Sequence, residues 1–135
     1  MTDPIQHILT TTRRIAVVGA SNKPERPSNE VMAFLVARGF DVVGVNPGLA
    51  GQTLHGRPVV ATLDEAGPLD MVDVFRASDQ VAPIMVDAIR LGARTVWLQL
   101  GVEDAAAAAA GRAAGLQVIE NRCPLIEWGR LRLPT

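Results

Sequence analysis

The chain has 135 residues, 48% of them apolar and 20% charged, with a formal net charge of -1. That balance excludes an intrinsically disordered chain and gives no electrostatic footprint for general nucleic-acid binding. No apolar stretch is as long as a membrane span, no signal-peptide core opens the chain, and the one cysteine, Cys123, leaves no disulfide framework and no cysteine-based zinc site. The expectation is a single cytoplasmic domain over 1–135.

Taken in order, Asp3 and Pro4 read as an N-cap and a first helical residue, opening a helix to about Thr11. Ile15 to Gly19 is short, apolar and β-branched, as in a strand buried on both faces. Ala20 to Pro27 holds two prolines and no periodicity, so it is a loop. Ser28 to Arg38 carries a wide helical stripe, stopped by Gly39. Asp41 to Val45 is a second strand, ended by Asn46-Pro47-Gly48. An irregular stretch runs on through Arg57, and Pro58 to Val60 suggests a short strand before a helical turn near Thr62 to Ala66. Met71 to Phe75 is the next strand, and Asp79 is expected to cap a helix to Arg90. Thr95 to Leu98 is a strand and Glu103 to Ala114 a helix. Its six-alanine run suits a helix packed closely on a sheet, since alanine has the highest helix propensity. Gln117 to Ile119 is the last strand, and a tail follows, with Arg130 and Arg132 expected in solvent.

Alternating strands and helices predict a Rossmann-like three-layer α/β/α fold with a mostly parallel sheet of five or six strands. Ligands of such folds bind at the carboxyl ends of the strands, near the point where strand order reverses. The first strand-to-helix loop is therefore the place to look for an anion site. It offers Gly19 for a tight turn, hydroxyls on Ser21 and Ser28, and cations on Lys23 and Arg26. Lys23 is the single lysine; the other twelve cationic residues are arginines. An ordinary connection with two solvated cations fits these residues equally well. The loop matches neither G-x-G-x-x-G nor G-x-x-x-x-G-K-[ST]. A ribose-binding carboxylate is also missing: Asn46-Pro47 stands where an NAD site has Asp or Glu.

Ile15-Ala16-Val17-Val18-Gly19-Ala20-Ser21 is followed in the chain by Arg26-Pro27-Ser28, Val45-Asn46-Pro47 and Asp73-Val74-Phe75-Arg76. Val96-Trp97-Leu98-Gln99-Leu100-Gly101 and Arg122-Cys123-Pro124 complete the series. In this order, over nearly the whole chain, the set resembles small stand-alone CoA-binding proteins. Those proteins are similar to the N-terminal CoA-binding domain of the succinyl-CoA synthetase alpha subunit. Where that family usually has Asp before Arg-Cys-Pro, this chain has Asn121. The change removes a carboxylate and any acid role at that position.

The resemblance implies coenzyme A, or an acyl-CoA, as ligand. Gly19, Ala20 and Ser21 would meet its phosphates through the backbone and hydrogen bonds, with Lys23 and Arg26 supplying charge and Pro27 and Ser28 closing the loop. Asn46 and Pro47 would border the adenine or ribose. Phe75 and Arg76 would line the pantetheine side, with Gln99 and Gly101 at its far end. The missing carboxylate agrees with this, because it would repel the 3′-phosphate.

Cys123 sits just past the last strand. Its thiol either faces the CoA thiol, where a mixed disulfide could form, or packs as a small buried hydrophobe. Asp73 stands mid-strand among apolar neighbours and is expected to be structural. His7 and His55 read as surface or packing residues. No nucleophile–base pair, metal cluster or acid–base dyad stands out. The reading is a non-catalytic carrier, sensor or partner module, with a homodimer and an unidentified protein partner both left open. The alternatives are an NAD(P)-binding Rossmann enzyme and an interaction protein with a vestigial nucleotide site.

Overall fold

A computed structural model describes residues 3–134. In chain order the elements are α1 (Pro4–Thr11), β1 (Arg14–Val18), α2 (Pro27–Ala37), β2 (Asp41–Val45), β3 (Thr53–Leu54), β4 (Arg57–Val60) and β5 (Met71–Val74). They continue with α3 (Val81–Arg90), β6 (Thr95–Leu98), α4 (Ala105–Ala113), β7 (Gln117–Ile119) and α5 (Pro124–Arg130).

The strands form one sheet of seven in the order β3-β4-β2-β1-β5-β6-β7. All pairings are parallel except β3 with β4. Successive side chains of a strand face opposite sides, so β1 splits its residues between two cores. Ala16 and Val18 face α3, α4 and the 61–70 segment; Ile15 and Val17 face α1, α2 and α5. This is the expected three-layer Rossmann-like fold.

Seven strands stand where five or six were expected. The addition is β3, which pairs with β4 around His55-Gly56. Both turn residues have positive φ, 51° and 77°, as a two-residue hairpin of the primed type requires. The predicted C-terminal tail contains α5, with Pro124 in its first turn. Proline is well suited there, where its missing N–H has no helical partner. Arg130 is correspondingly not a free tail residue: it contacts Glu127 and Asp3.

Asp79 does not cap α3. It lies in a short 3-10 turn, Ser78–Gln80, and the capping position falls on Gln80. Asp3 and Asp104 do cap, accepting the amides of Ile5 and Ala107. The alanine-rich α4 packs as expected. A Cβ on Gly111 would lie 2.7 Å from the Met85 sulfur and 2.9 Å from a Val118 methyl. A larger residue there would push the helix off α3 and the sheet.

Candidate functional site

The chain leaves β1 through Gly19, whose φ is +90°. Its N–H donates to the Val45 carbonyl at 3.0 Å. A Cβ at this position would lie 3.0 Å from the Phe75 carbonyl oxygen and 3.2 Å from Arg76 Cδ. Glycine thus serves two needs at once, left-handed backbone and close approach to the end of β5.

Two asparagines then fix the loop. Asn46 Nδ2 donates to the Ala20 carbonyl at 2.7 Å, and Asn29 Nδ2 donates to the Ser21 carbonyl at 2.8 Å. Asn29 is nearly buried in the first turn of α2 and accepts in turn from His55 Nε2 at 3.1 Å. The β3–β4 turn therefore braces the loop through one side chain. Ser21 Oγ accepts the Lys23 amide at 3.1 Å. No side chain caps α2; its capping position is Arg26, followed by Pro27. The positive end of the helix dipole is thereby left to the loop.

These elements border a cleft of about 540 Å³, a size typical of small-molecule sites. It lies between the ends of β1 and β5, where the crossovers diverge: α2 packs on one face of the sheet and α3 on the other. Of the residues singled out by sequence, Gly19, Ala20, Ser21, Lys23, Arg26, Pro27, Ser28, Asn46, Phe75, Arg76 and Gln99 all line it. Pro47 lines a smaller neighbouring hollow that also reaches Gly19 and Arg76. Gly101 is outside the lining, between Leu100 and Val102, which are in it. Its N–H donates to Asn121 Oδ1 at 2.8 Å and its carbonyl accepts from Ser78 Oγ. Gly101 thus helps hold the turn that presents Leu100 and Val102. Asn121 thus serves as a brace for this turn.

Cys123 is not brought to the cleft. It is 8% exposed and packs in the core beneath α1, α2 and α5. The carbonyl beside it, of Arg122, accepts from Trp97 Nε1 at 2.9 Å. His7 and His55 are both exposed. Asn22, Asn29, Gly48, Leu49, Leu100 and Val102 were missed by the sequence reading. Asn22 and Gly48 sit in loops already singled out, so proximity was their available cue.

The charge of the cleft differs from that of the whole chain. Lys23, Arg26 and Arg76 line it, and no aspartate or glutamate does. Among the described residues these three form no ion pair, whereas Arg14, Arg57, Arg90, Arg112 and Arg130 do. The cations of the lining can hold a polyanion, while Phe75, Leu49, Leu100 and Val102 offer apolar contact. Asp73 lies two residues before Phe75 and is fully buried, with neither carboxyl oxygen hydrogen-bonded. Burial holds its carboxyl well above the usual carboxylate range. Asp70 lies at the opposite end of β5, where the amides of Arg14 and Arg13 lower its pKa. The two carboxyls form no pair.

A protein-family model described as a CoA binding domain matches residues 13–129. The chain belongs to this CoA-binding domain family. It is similar to the protein YneT of Bacillus subtilis (strain 168), with 32% identity over 119 residues, 88% of this chain and 87% of that one. A solved structure from Thermus thermophilus resembles it with a TM-score of 0.91 at 34% identity, over 97% of this chain and 99% of that chain. A protein from Pyrococcus horikoshii OT3 gives 0.89 at 36% identity, over 98% and 93%. The CoA-binding domain match spans every element that lines the cleft, from β1 through the Leu100–Val102 turn.

Proposed function

We propose that the chain binds coenzyme A or an acyl-CoA in this cleft and acts as a non-catalytic carrier, sensor or partner module. The observation that carries the reading is a cleft at the strand-order reversal lined by three unpaired cations and no carboxylate, in a chain of the CoA-binding domain family. Coenzyme A brings a pyrophosphate and a 3′-phosphate, whose charges suit such a lining. The Gly19–Ser21 backbone and the uncapped start of α2 would hold phosphate oxygens, with Lys23, Arg26 and Arg76 supplying charge. Asn46 brings no negative charge, where a carboxylate would repel the 3′-phosphate. No helix among the described residues is long and apolar enough to cross a membrane. The same reading takes residues 1–135 as one cytoplasmic domain, working as a homodimer or with a protein that senses its loaded state.

Titration calorimetry with CoA, acetyl-CoA, NAD and ATP tests this. CoA or acetyl-CoA should bind more tightly than NAD and ATP. Failure to bind CoA at millimolar concentration, with NAD binding well, overturns it. A melting temperature that none of the four ligands moves would favour a vestigial site.

A further inference from the structure

Asn29 joins two segments that are distant in sequence. Its amide nitrogen donates to the Ser21 carbonyl at 2.8 Å, and its amide oxygen meets His55 Nε2 at 3.1 Å. A carbonyl only accepts, so the first contact fixes which way this amide is turned. The oxygen is left to accept, and His55 must bring the proton on Nε2. Asn29 is 8% exposed, and neither it nor His55 lines the cleft. The turn that carries His55 has φ of 51° there and 77° at Gly56, and Asn-Gly is the pair such a turn prefers. An asparagine amide nitrogen is one bond closer to the backbone than histidine Nε2. Histidine here therefore suits the contact with Asn29 better than it suits the turn.

What this contact holds is a peptide plane. A trans peptide points its N–H opposite to its C=O. Turning the Ser21 carbonyl toward Asn29 thus turns the Asn22 N–H away from it. Asn46 does the same to the preceding peptide, through the Ala20 carbonyl, and so to the Ser21 N–H. Among the described residues neither of these two amides has an acceptor, whereas the Lys23 amide is taken by Ser21 Oγ. Ser21 and Asn22 both line the cleft. Successive unused backbone donors are what a loop offers an anion. We propose that His55 is a positioning residue for this cleft: through Asn29 it fixes the Asn22 N–H for a ligand phosphate. This rests on the CoA reading above, which supplies the phosphate. It adds a residue from the edge of the sheet that touches no ligand itself.

The test is calorimetry with CoA, together with thermal melting, on the wild type, His55→Asn and His55→Gln. His55→Asn gives the turn its preferred pair and removes the contact with Asn29. Its melting temperature should be no lower than that of the wild type. Its CoA affinity should fall roughly threefold to tenfold, the worth of one net hydrogen bond. His55→Gln places an N–H donor as many bonds from the backbone as Nε2 and should recover wild-type affinity. An unchanged affinity in His55→Asn overturns the proposal, and so does an equal loss in His55→Gln. A fall in affinity of His55→Asn that comes with a lower melting temperature assigns His55 to the turn alone and also overturns it. In each of these cases the CoA reading survives. If wild-type protein binds no CoA, that reading itself fails and this inference falls with it.

Discussion

Asn46 Nδ2 donates to the Ala20 carbonyl at 2.7 Å, so the end of β2 holds the loop that follows β1. An aspartate at this position would put two acceptors against each other and add a negative charge beside the cleft. Asn46→Asp should lower CoA affinity by about tenfold or more, through the lost donor and repulsion of the phosphates. Calorimetry with CoA and NAD reads both consequences. An unchanged CoA affinity would show that Asn46 neither shapes the loop nor neighbours a phosphate.

Lys23 is exposed and unpaired in the same loop. An exposed charge is screened, so Lys23→Ala should weaken CoA by roughly threefold. Dephospho-CoA is the informative control. If Lys23 meets the 3′-phosphate, dephospho-CoA binding should be unaffected; equal weakening of both would assign Lys23 to the pyrophosphate.

Asp73 gives a prediction with a definite sign. Its folded-state pKa is raised by burial. The unfolded chain releases this proton in the ordinary carboxylate range, while the folded chain retains it. The stability due to this group is therefore fully present below that range and is lost as pH rises toward the raised folded-state value. Asp73→Val removes the dependence and the unpaired oxygens. The variant should gain about 1–3 kcal/mol over the wild type at neutral pH, and less near pH 4. Urea unfolding across that range measures the difference between the two proteins. A gain independent of pH would mean that Asp73 is ionised in the fold.

Cys123 should be inert while the protein is folded. It is packed among α1, α2 and α5 and absent from the cleft lining, so CoA disulfide should give no adduct by mass spectrometry until urea is added. A CoA adduct on native protein would restore the mixed-disulfide reading.

Much of this molecule could be read from its residues because most strands are apolar on both faces. Ile15 to Val18 and Asp41 to Val45 differ plainly from the helices that follow them, and their alternation implies a parallel sheet. The hairpin was hidden for a local reason. β3 has two residues, too few to show a period, and its turn places His55 in a left-handed conformation that histidine does not announce. α5 was hidden because Pro124 reads as a break as readily as a start. The site followed the same rule. Gly19, Ser21 and Arg26 lie close together in sequence and were legible as a loop. Asn29 became visible when folding brought Ser21 and His55 to its two amide atoms. Leu100 and Val102 have no chemical signature at all; the turn held by Ser78 and Asn121 delivers them.

The three unpaired cations also bear on how the protein should be handled. Like charges gathered around one cleft repel one another, and any anion that settles there relieves that repulsion. By linkage, whatever binds the native state and not the unfolded chain raises the melting temperature with its concentration. The measured stability of this fold is then partly a property of its buffer. Phosphate or sulfate in the solution would occupy the cleft weakly, mask part of the affinity for a nucleotide, and make the protein look sturdier than its packing alone would make it.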